Sequence, residues 1–389
     1  MHFQGPSRRT LFKTSVIMSR WFSFIDRNHR FITPALVVLM AKMIGASLLY
    51  QRIVPIGFTY VTSPGAEVLL DGGASSWVHI FHGWDSYHYL QIAKNWYVNL
   101  PLYEFFPLYP ISIRLFSFGV FELKFSAFLV SLLFGIASMP LFQRIAENYM
   151  DEKAALGCTL LMFFFPYVFF FTTIAYSESL FLFTTLASWY FHLKTRNLIA
   201  NIFASMATLT RPYGIFIVIP IFLDLIHRRK RKQISYILIP IVSLASWMYY
   251  CSLATDYWLG FARLEARQIG SEKLFPDFVT SLLNFPYVFK VFTFTHEFTL
   301  FIAYLAITTC LVHFTLQLDW RLGSYTYTLF FALVLEAAVI SYVRFFAFIF
   351  PIWLILRVKN QSIVISACAF SFIYSLMIWS QFLLGAWIA

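Results

Sequence analysis

Runs of about 20 consecutive apolar residues recur along this chain, the length a helix rising about 1.5 Å per residue needs to cross about 30 Å of hydrocarbon. One of them reads "LLMFFFPYVFFFTTIA" over residues 160–175. Of the 389 residues, 12% are charged and 60% hydrophobic, whereas a soluble domain carries about 25% charged residues. A porin-like barrel would show short alternating segments instead of continuous runs. The expected fold is an all-α polytopic membrane protein with roughly 10–12 membrane helices.

Spans are expected near 31–51, 105–121, 125–146, 154–174, 176–193, 198–226 and 234–253, then near 283–295, 298–317, 325–341, 343–358 and 361–388. The segment 283–295 is short and holds Pro286, so an interfacial or re-entrant piece is the alternative there. Residues 1–30, with six Lys or Arg and no apolar core, form a cytoplasmic basic arm without a cleavage site, and residues 31–389 form a single integral membrane domain. Two polar stretches, 52–104 and 254–282, are expected on the extracytoplasmic side. The first holds only Arg52 and Lys94 against Glu67, Asp71, Asp85 and Glu104.

The formal charge of +11 sits in short connectors between apolar runs, which fits membrane orientation and argues against nucleic acid as a partner. Cys158, Cys251, Cys310 and Cys368 lie in or beside apolar runs without metal-site spacing and are expected to be packing residues. No Gly-rich phosphate loop, Ser-His-Asp ordering or H-E-x-x-H motif occurs.

"KTRN" (194–197) and "HRRKRK" (227–232) both look cytoplasmic, yet one apolar stretch separates them. That stretch is interrupted by "TRPYG", where Pro212 disfavours helix at Arg211 and Gly214 loosens the next turn. Two half-length helices, Leu198–Thr210 and Tyr213–Ile226, would meet at a turn carrying Arg211 toward the side of Asp85. A bent single span is the competing expectation.

Asp85 leads the candidate residues. It lies in "GWDSYHYLQIAKNWY", whose Trp84, Tyr87, Leu90, Ile92 and Ala93 suit a helix on the outer membrane surface. A carboxylate there meets both water-borne and lipid-linked groups and can accept a hydroxyl proton during group transfer; helix capping is the plainer role. His79, His82, Asp85 and His88 recur every three residues, a spacing that can hold a divalent cation, although hydrogen bonding to sugar hydroxyls suits these histidines better. Glu104 closes the same loop and suits a second acid or a substrate ligand. Lys42, Arg114, Arg211 and Arg344 are cations in or beside apolar runs. Arg211 and Arg344 are favoured to grip phosphate. Lys42 and Arg114 could snorkel, and Arg344 could instead pair with Glu336. Glu178, in "AYSESL", suits the positive end of a helix. Asp256, Arg263, Glu265 and Arg267 suit a second amphipathic outer helix.

"WDSYHYLQIAKNWY", "YEFFPLYPISIRL", "AYSESLFLF", "LTRPYGI" and "SYVRFFAFIFPIWLI", in that order, resemble the landmarks of the PIG-V type mannosyltransferases and their prokaryotic relatives. The resemblance implies a GT-C type membrane glycosyltransferase whose catalytic loop is 52–104. It would move mannose, with inversion, from a polyprenyl- or dolichyl-phosphate-mannose donor to a lipid-linked glycan acceptor. In eukaryotic members that acceptor is the glycosylphosphatidylinositol precursor, which receives its second mannose. Asp85 matches the catalytic-loop aspartate, Glu104 the acidic position before the FFP motif, and Arg211 the arginine of the later motif. Trp84, His88, Arg344 and Glu178 are the further expected substrate ligands, with membrane lipid and a small membrane partner subunit as further expected partners. A transporter or flippase of a lipid-linked sugar is the alternative, although such a protein should show two broken helices in related halves. The membrane would be the plasma membrane in a prokaryote or the endoplasmic reticulum in a eukaryote.

Overall fold

The computed structural model describes residues 8–53, 77–261, 297–335, 342–386 and 388. Its helices run α1 (Arg8–Ile53), α2 (Asp85–Asn95), α3 (Leu108–Phe116), α4 (Leu123–Ala146), α5 (Glu152–Phe164), α6 (Pro166–Phe171), α7 (Glu178–Leu193) and α8 (Asn197–Thr210). They continue as α9 (Val218–His227), α10 (Arg231–Ile234), α11 (Leu238–Thr255), α12 (Glu297–Leu318), α13 (Trp320–Leu335), α14 (Tyr342–Ala347) and α15 (Gln361–Leu383). Short 3-10 segments occur at Trp77–Phe81, Leu100–Glu104, Pro212–Ile217, Ser235–Ile237 and Phe350–Ile355. No strand occurs among the described residues. Glu336, the span expected near 283–295 and the helix expected around Arg263, Glu265 and Arg267 lie outside them.

Four helices are long and apolar enough to cross a membrane by length and composition: Asn28–Arg52 within α1, α4, the continuous stretch Arg231–Thr255, and α15. The basic arm is not separate from the first span, because α1 runs unbroken from Arg8. Three expected spans are interrupted. Residues 105–121 contain only the nine-residue α3, about 14 Å long, ended by a turn in which Phe118 and Gly119 have φ of 48° and 70°. Residues 154–174 break at Phe165, whose extended backbone (ψ 131°) is what the following Pro166 imposes. Residues 343–358 divide into α14 and the segment Phe350–Ile355, which has Pro351 in its first turn.

The core follows α7, which packs along α4 and α8 and buries Trp189, Leu182 and Leu186 completely. Polar contacts then sort the molecule into two ends. At the first, Arg30 pairs with Glu147 and Glu152, Arg144 bonds Asn28 and Lys359 pairs with Asp151 at 2.6 Å. Tyr149 bonds Asp319, Arg321 joins Asp319 to Asp224, and His192 bonds both Asp224 and Asn197. This basic end holds "KTRN" and "HRRKRK" together. The two arms therefore form the hairpin: α8 leaves from Asn197, the chain turns at Arg211, and α9 returns to place Asp224 against His192. The second arm opens as a 3-10 segment, Pro212–Ile217, before α9. Gly214 makes the turn tight, since a Cβ there would lie 2.2 Å from the carbonyl carbon of Ala207.

Candidate active site

The opposite end is built around the start of α2. Ser86, Tyr87, Tyr89, Leu90, Ile92 and Ala93 of this helix are buried, and it packs on α3 and α4. It is therefore held by protein rather than laid on lipid with its tyrosines at headgroup level. Trp84, partly buried, precedes it with a positive φ (49°, ψ −118°), uncommon for so bulky a residue and typical of functional sites. No side chain of its own caps the helix. Instead the hydroxyl of Tyr176 accepts from the Asp85 amide at 3.2 Å and donates to the Gly83 carbonyl at 3.3 Å, so Asp85 is fixed from a distant part of the sequence.

Tyr176, Ser177 and Glu178 form the centre of the site. Glu178 opens α7, where the positive helix end favours its charge, and its side chain is only 1% exposed. Its Oε1 accepts from Arg211 Nη2 at 2.9 Å and from Arg344 Nε at 2.5 Å. Arg344, equally buried, reaches on to Asp85 Oδ2 at 3.4 Å. Arg211 Nε donates to Ser177 Oγ at 3.0 Å, and the Tyr89 hydroxyl donates to the same oxygen at 2.9 Å. Burial pushes the Tyr89 phenol up to about 12, so it stays a donor. The Phe345 ring packs against both guanidinium groups, 5.0 and 5.4 Å from their carbons. Two acids and two arginines thus form one connected, formally neutral group. Asp85 is its most accessible carboxylate, with 23% side-chain exposure.

Two features make this group receptive to a ligand. Glu178 Oε2 is buried without a hydrogen-bond partner among the described residues, a state that costs free energy unless a donor arrives. Beside it lies a slot headed by Arg211 and Glu178 and walled by Phe181, Tyr213, Leu329, Leu333, Phe345 and Phe348, with charge at its head and apolar walls below.

The structure joins Asp85, Glu178, Arg211 and Arg344 and places Trp84 next to them. His88 is half-buried, its ring stacked on Phe105 at 4.8 Å. Burial lowers its pKa, partly offset by the Asp85 charge, which favours a neutral ring at neutral pH. Glu104 ends the segment Leu100–Glu104, half-buried immediately before Phe105, and is thus carried by a different element from Asp85. The His79–His82–Asp85–His88 stripe does not form on one helix, because α2 begins only at Asp85 and the first two histidines precede it. His82 Nδ1 instead lies 2.9 Å from the Val78 carbonyl. No group of three or more His, Cys, Asp or Glu able to hold a metal ion occurs among the described residues.

Lys42 does not snorkel. It is fully buried, and its ammonium donates to the Phe169 carbonyl, Thr172 Oγ1 and Thr173 Oγ1 at 2.7–2.8 Å, pinning the turn that leads to Tyr176. Arg114 is exposed. Tyr89, Tyr176 and Ser177 were not foreseen as site residues. Tyr89 lies one turn after Asp85, which was a usable signal, whereas the role of Tyr176 depends on a contact 91 residues away in sequence.

The fold and the buried acid–arginine group define a polytopic all-α membrane protein with a polar site at one end of its bundle. A family model described as mannosyltransferase (PIG-V) matches residues 30–258, and the chain accordingly belongs to the PIG-V mannosyltransferase family. It is a glycosyltransferase, and more narrowly a mannosyltransferase. Asp85, Glu104, Glu178 and Arg211 fall inside the matched stretch and Arg344 beyond it. No curated protein and no solved structure matches the chain.

Proposed function

We propose that this mannosyltransferase takes mannose from a polyprenyl- or dolichyl-phosphate-mannose donor and transfers it, with inversion, to a lipid-linked glycan acceptor on the extracytoplasmic or lumenal side. The observation that carries the proposal is the chain of ion pairs that runs from Asp85 through Arg344 to Glu178 and on to Arg211. In this reading Asp85 accepts the proton of the acceptor hydroxyl as that oxygen bonds to the anomeric carbon. The bond from that carbon to the phosphate oxygen breaks, and the lipid phosphate leaves with its charge met by Arg211, while Arg344 braces Asp85. The side chains below Arg211 are apolar, in keeping with a lipid carrier approaching from that side. Glu178 Oε2 accepts from a sugar hydroxyl, which supplies the donor it lacks, while Trp84, His88 and Glu104 border the acceptor side.

The sidedness rests on charge. Arg30, Arg144, Arg228, Arg321 and Lys359 gather at the end opposite Asp85, and basic residues mark the cytoplasmic side. In a prokaryote the membrane would be the plasma membrane. In a eukaryote it would be the endoplasmic reticulum, with the glycosylphosphatidylinositol precursor receiving its second mannose. In this reading a small membrane subunit is a further partner.

The test is to incubate purified protein with radiolabelled polyprenyl-phosphate-mannose and candidate lipid acceptors, with a nucleotide-linked mannose as the comparison donor. Label is expected in the acceptor from the lipid-linked donor alone. Transfer from the nucleotide sugar instead, or movement of the donor across the bilayer without transfer, would overturn the proposal.

A further inference from the structure

The basic end carries a feature that the mannosyl-transfer reading does not use. From the end of α9 into the first residues of α10 the chain reads Arg228, Arg229, Lys230, Arg231, Lys232. Only Arg228 of these five pairs with a carboxylate among the described residues, through Asp224 at 2.8 Å. An open hollow of about 780 Å³ lies here, lined by Ile226, Arg229, Arg231, Ile234 and Ser235, large enough for a small-molecule group. On its membrane side the exposed side chains turn apolar: Phe222, Leu223 and Ile226 on α9, and Leu238, Ile241 and Val242 on α11.

Membrane orientation accounts for the sign of this charge but not for the hollow or for the position of Arg229. The end of α9 is closed by a bond from the Arg229 amide to the Ile226 carbonyl and one from the Lys230 amide to the Leu225 carbonyl, both 2.9 Å. That pattern places residue 229 in the left-handed region (φ 56°), where glycine is the usual and less strained occupant. The chain keeps an arginine there, with its side chain lining the hollow.

We infer that this hollow is a binding site for the phosphate headgroup of an anionic phospholipid in the leaflet at the basic end. Arg229 and Arg231 hold the phosphate, and the acyl chains lie along the exposed faces of α9 and α11. Basic pockets beside membrane helices on the cytoplasmic side bind anionic headgroups in this way. The inference is independent of the transfer mechanism, since the site lies at the opposite end from Asp85.

The test uses the purified full-length protein, loaded with phosphatidylglycerol or phosphatidylcholine and followed by native mass spectrometry during detergent exchange. Wild type is expected to retain phosphatidylglycerol and lose phosphatidylcholine. R229Q/R231Q should weaken phosphatidylglycerol retention about five-fold for each arginine removed, or about twenty-five-fold in all, while K194Q/R196Q, an equal charge loss at the same end, keeps its adduct. R229G guards against misfolding: glycine relieves the left-handed backbone, so an unchanged or raised Tm with reduced lipid retention supports the site. Retention by R229Q/R231Q equal to wild type, or equal loss in K194Q/R196Q, overturns it. Displacement of the lipid by millimolar inorganic phosphate would mean that the hollow takes free phosphate and would overturn the lipid assignment.

Discussion

Glu178 receives both arginines on one carboxylate oxygen, which gives the two cations different tasks. Arg344 is buried against Phe171, Tyr176 and Phe345 and braces Asp85, whereas Arg211 stands at the head of the slot. Arg211→Lys keeps the charge but loses the planar fork. It is expected to raise the KM for the lipid-phosphate donor about ten-fold or more while leaving Tm nearly unchanged; an unaltered donor KM would remove Arg211 from phosphate binding. His82 gives a second residue-scale prediction. Burial lowers its pKa from 6.5 to about 4, so between those values the unfolded chain binds more protons than the folded one. The stability from a neutral His82 is therefore present above pH 6.5 and lost as pH falls toward 4, by about 3 kcal/mol. His82→Asn keeps a donor near the position of Nδ1 and should flatten the fall of Tm across that window. A slope as steep as in wild type would refute the assignment.

At the scale of elements, the hairpin of α8 and α9 was legible because two basic connectors demanded the same side of the membrane and Arg211-Pro212 marked the turn. Its tightness depends on Gly214 lying against Ala207. Gly214→Ala forces a carbon into that carbonyl and is expected to lower stability by about 1–3 kcal/mol and to reduce transfer by moving Arg211; thermal unfolding and donor turnover together check it, and a variant as stable and active as wild type would contradict the geometry. The residues of α2 were legible but their partner was not. In a membrane protein an apolar face satisfies either lipid or protein, and periodicity reports the face without naming what covers it. Residues 105–121 misled for a related reason. Leu115, Phe118, Val120 and Phe121 are exposed, so a short helix and an apolar turn together have the composition of a span. The divisions at Phe165 and before Phe350 follow from Pro166 and Pro351, signals present in the sequence but outweighed there by the length of the surrounding apolar runs.

Across the whole molecule, the two ends carry opposite assignments. Basic residues converge on one and the site on the other, a separation that the charge pattern of the connectors foreshadows, while the joining of Asp85 to residues 93, 126 and 259 positions later in the chain has no such sign in composition. Ion pairs between such distant residues leave no periodic trace: the hairpin turn brings Arg211 to the side of Asp85, and the order of several short motifs is the further sign that links Glu178 and Arg344 to them. The central claim is that Asp85 acts as the base facing a lipid phosphate held by arginine. Asp85→Asn preserves size and hydrogen bonding while removing the proton acceptor. The decisive measurement is donor binding and mannosyl transfer by this variant in parallel with wild type: donor affinity is expected to hold while transfer falls about 100-fold or more. Transfer by Asp85→Asn at the wild-type rate would contradict the account.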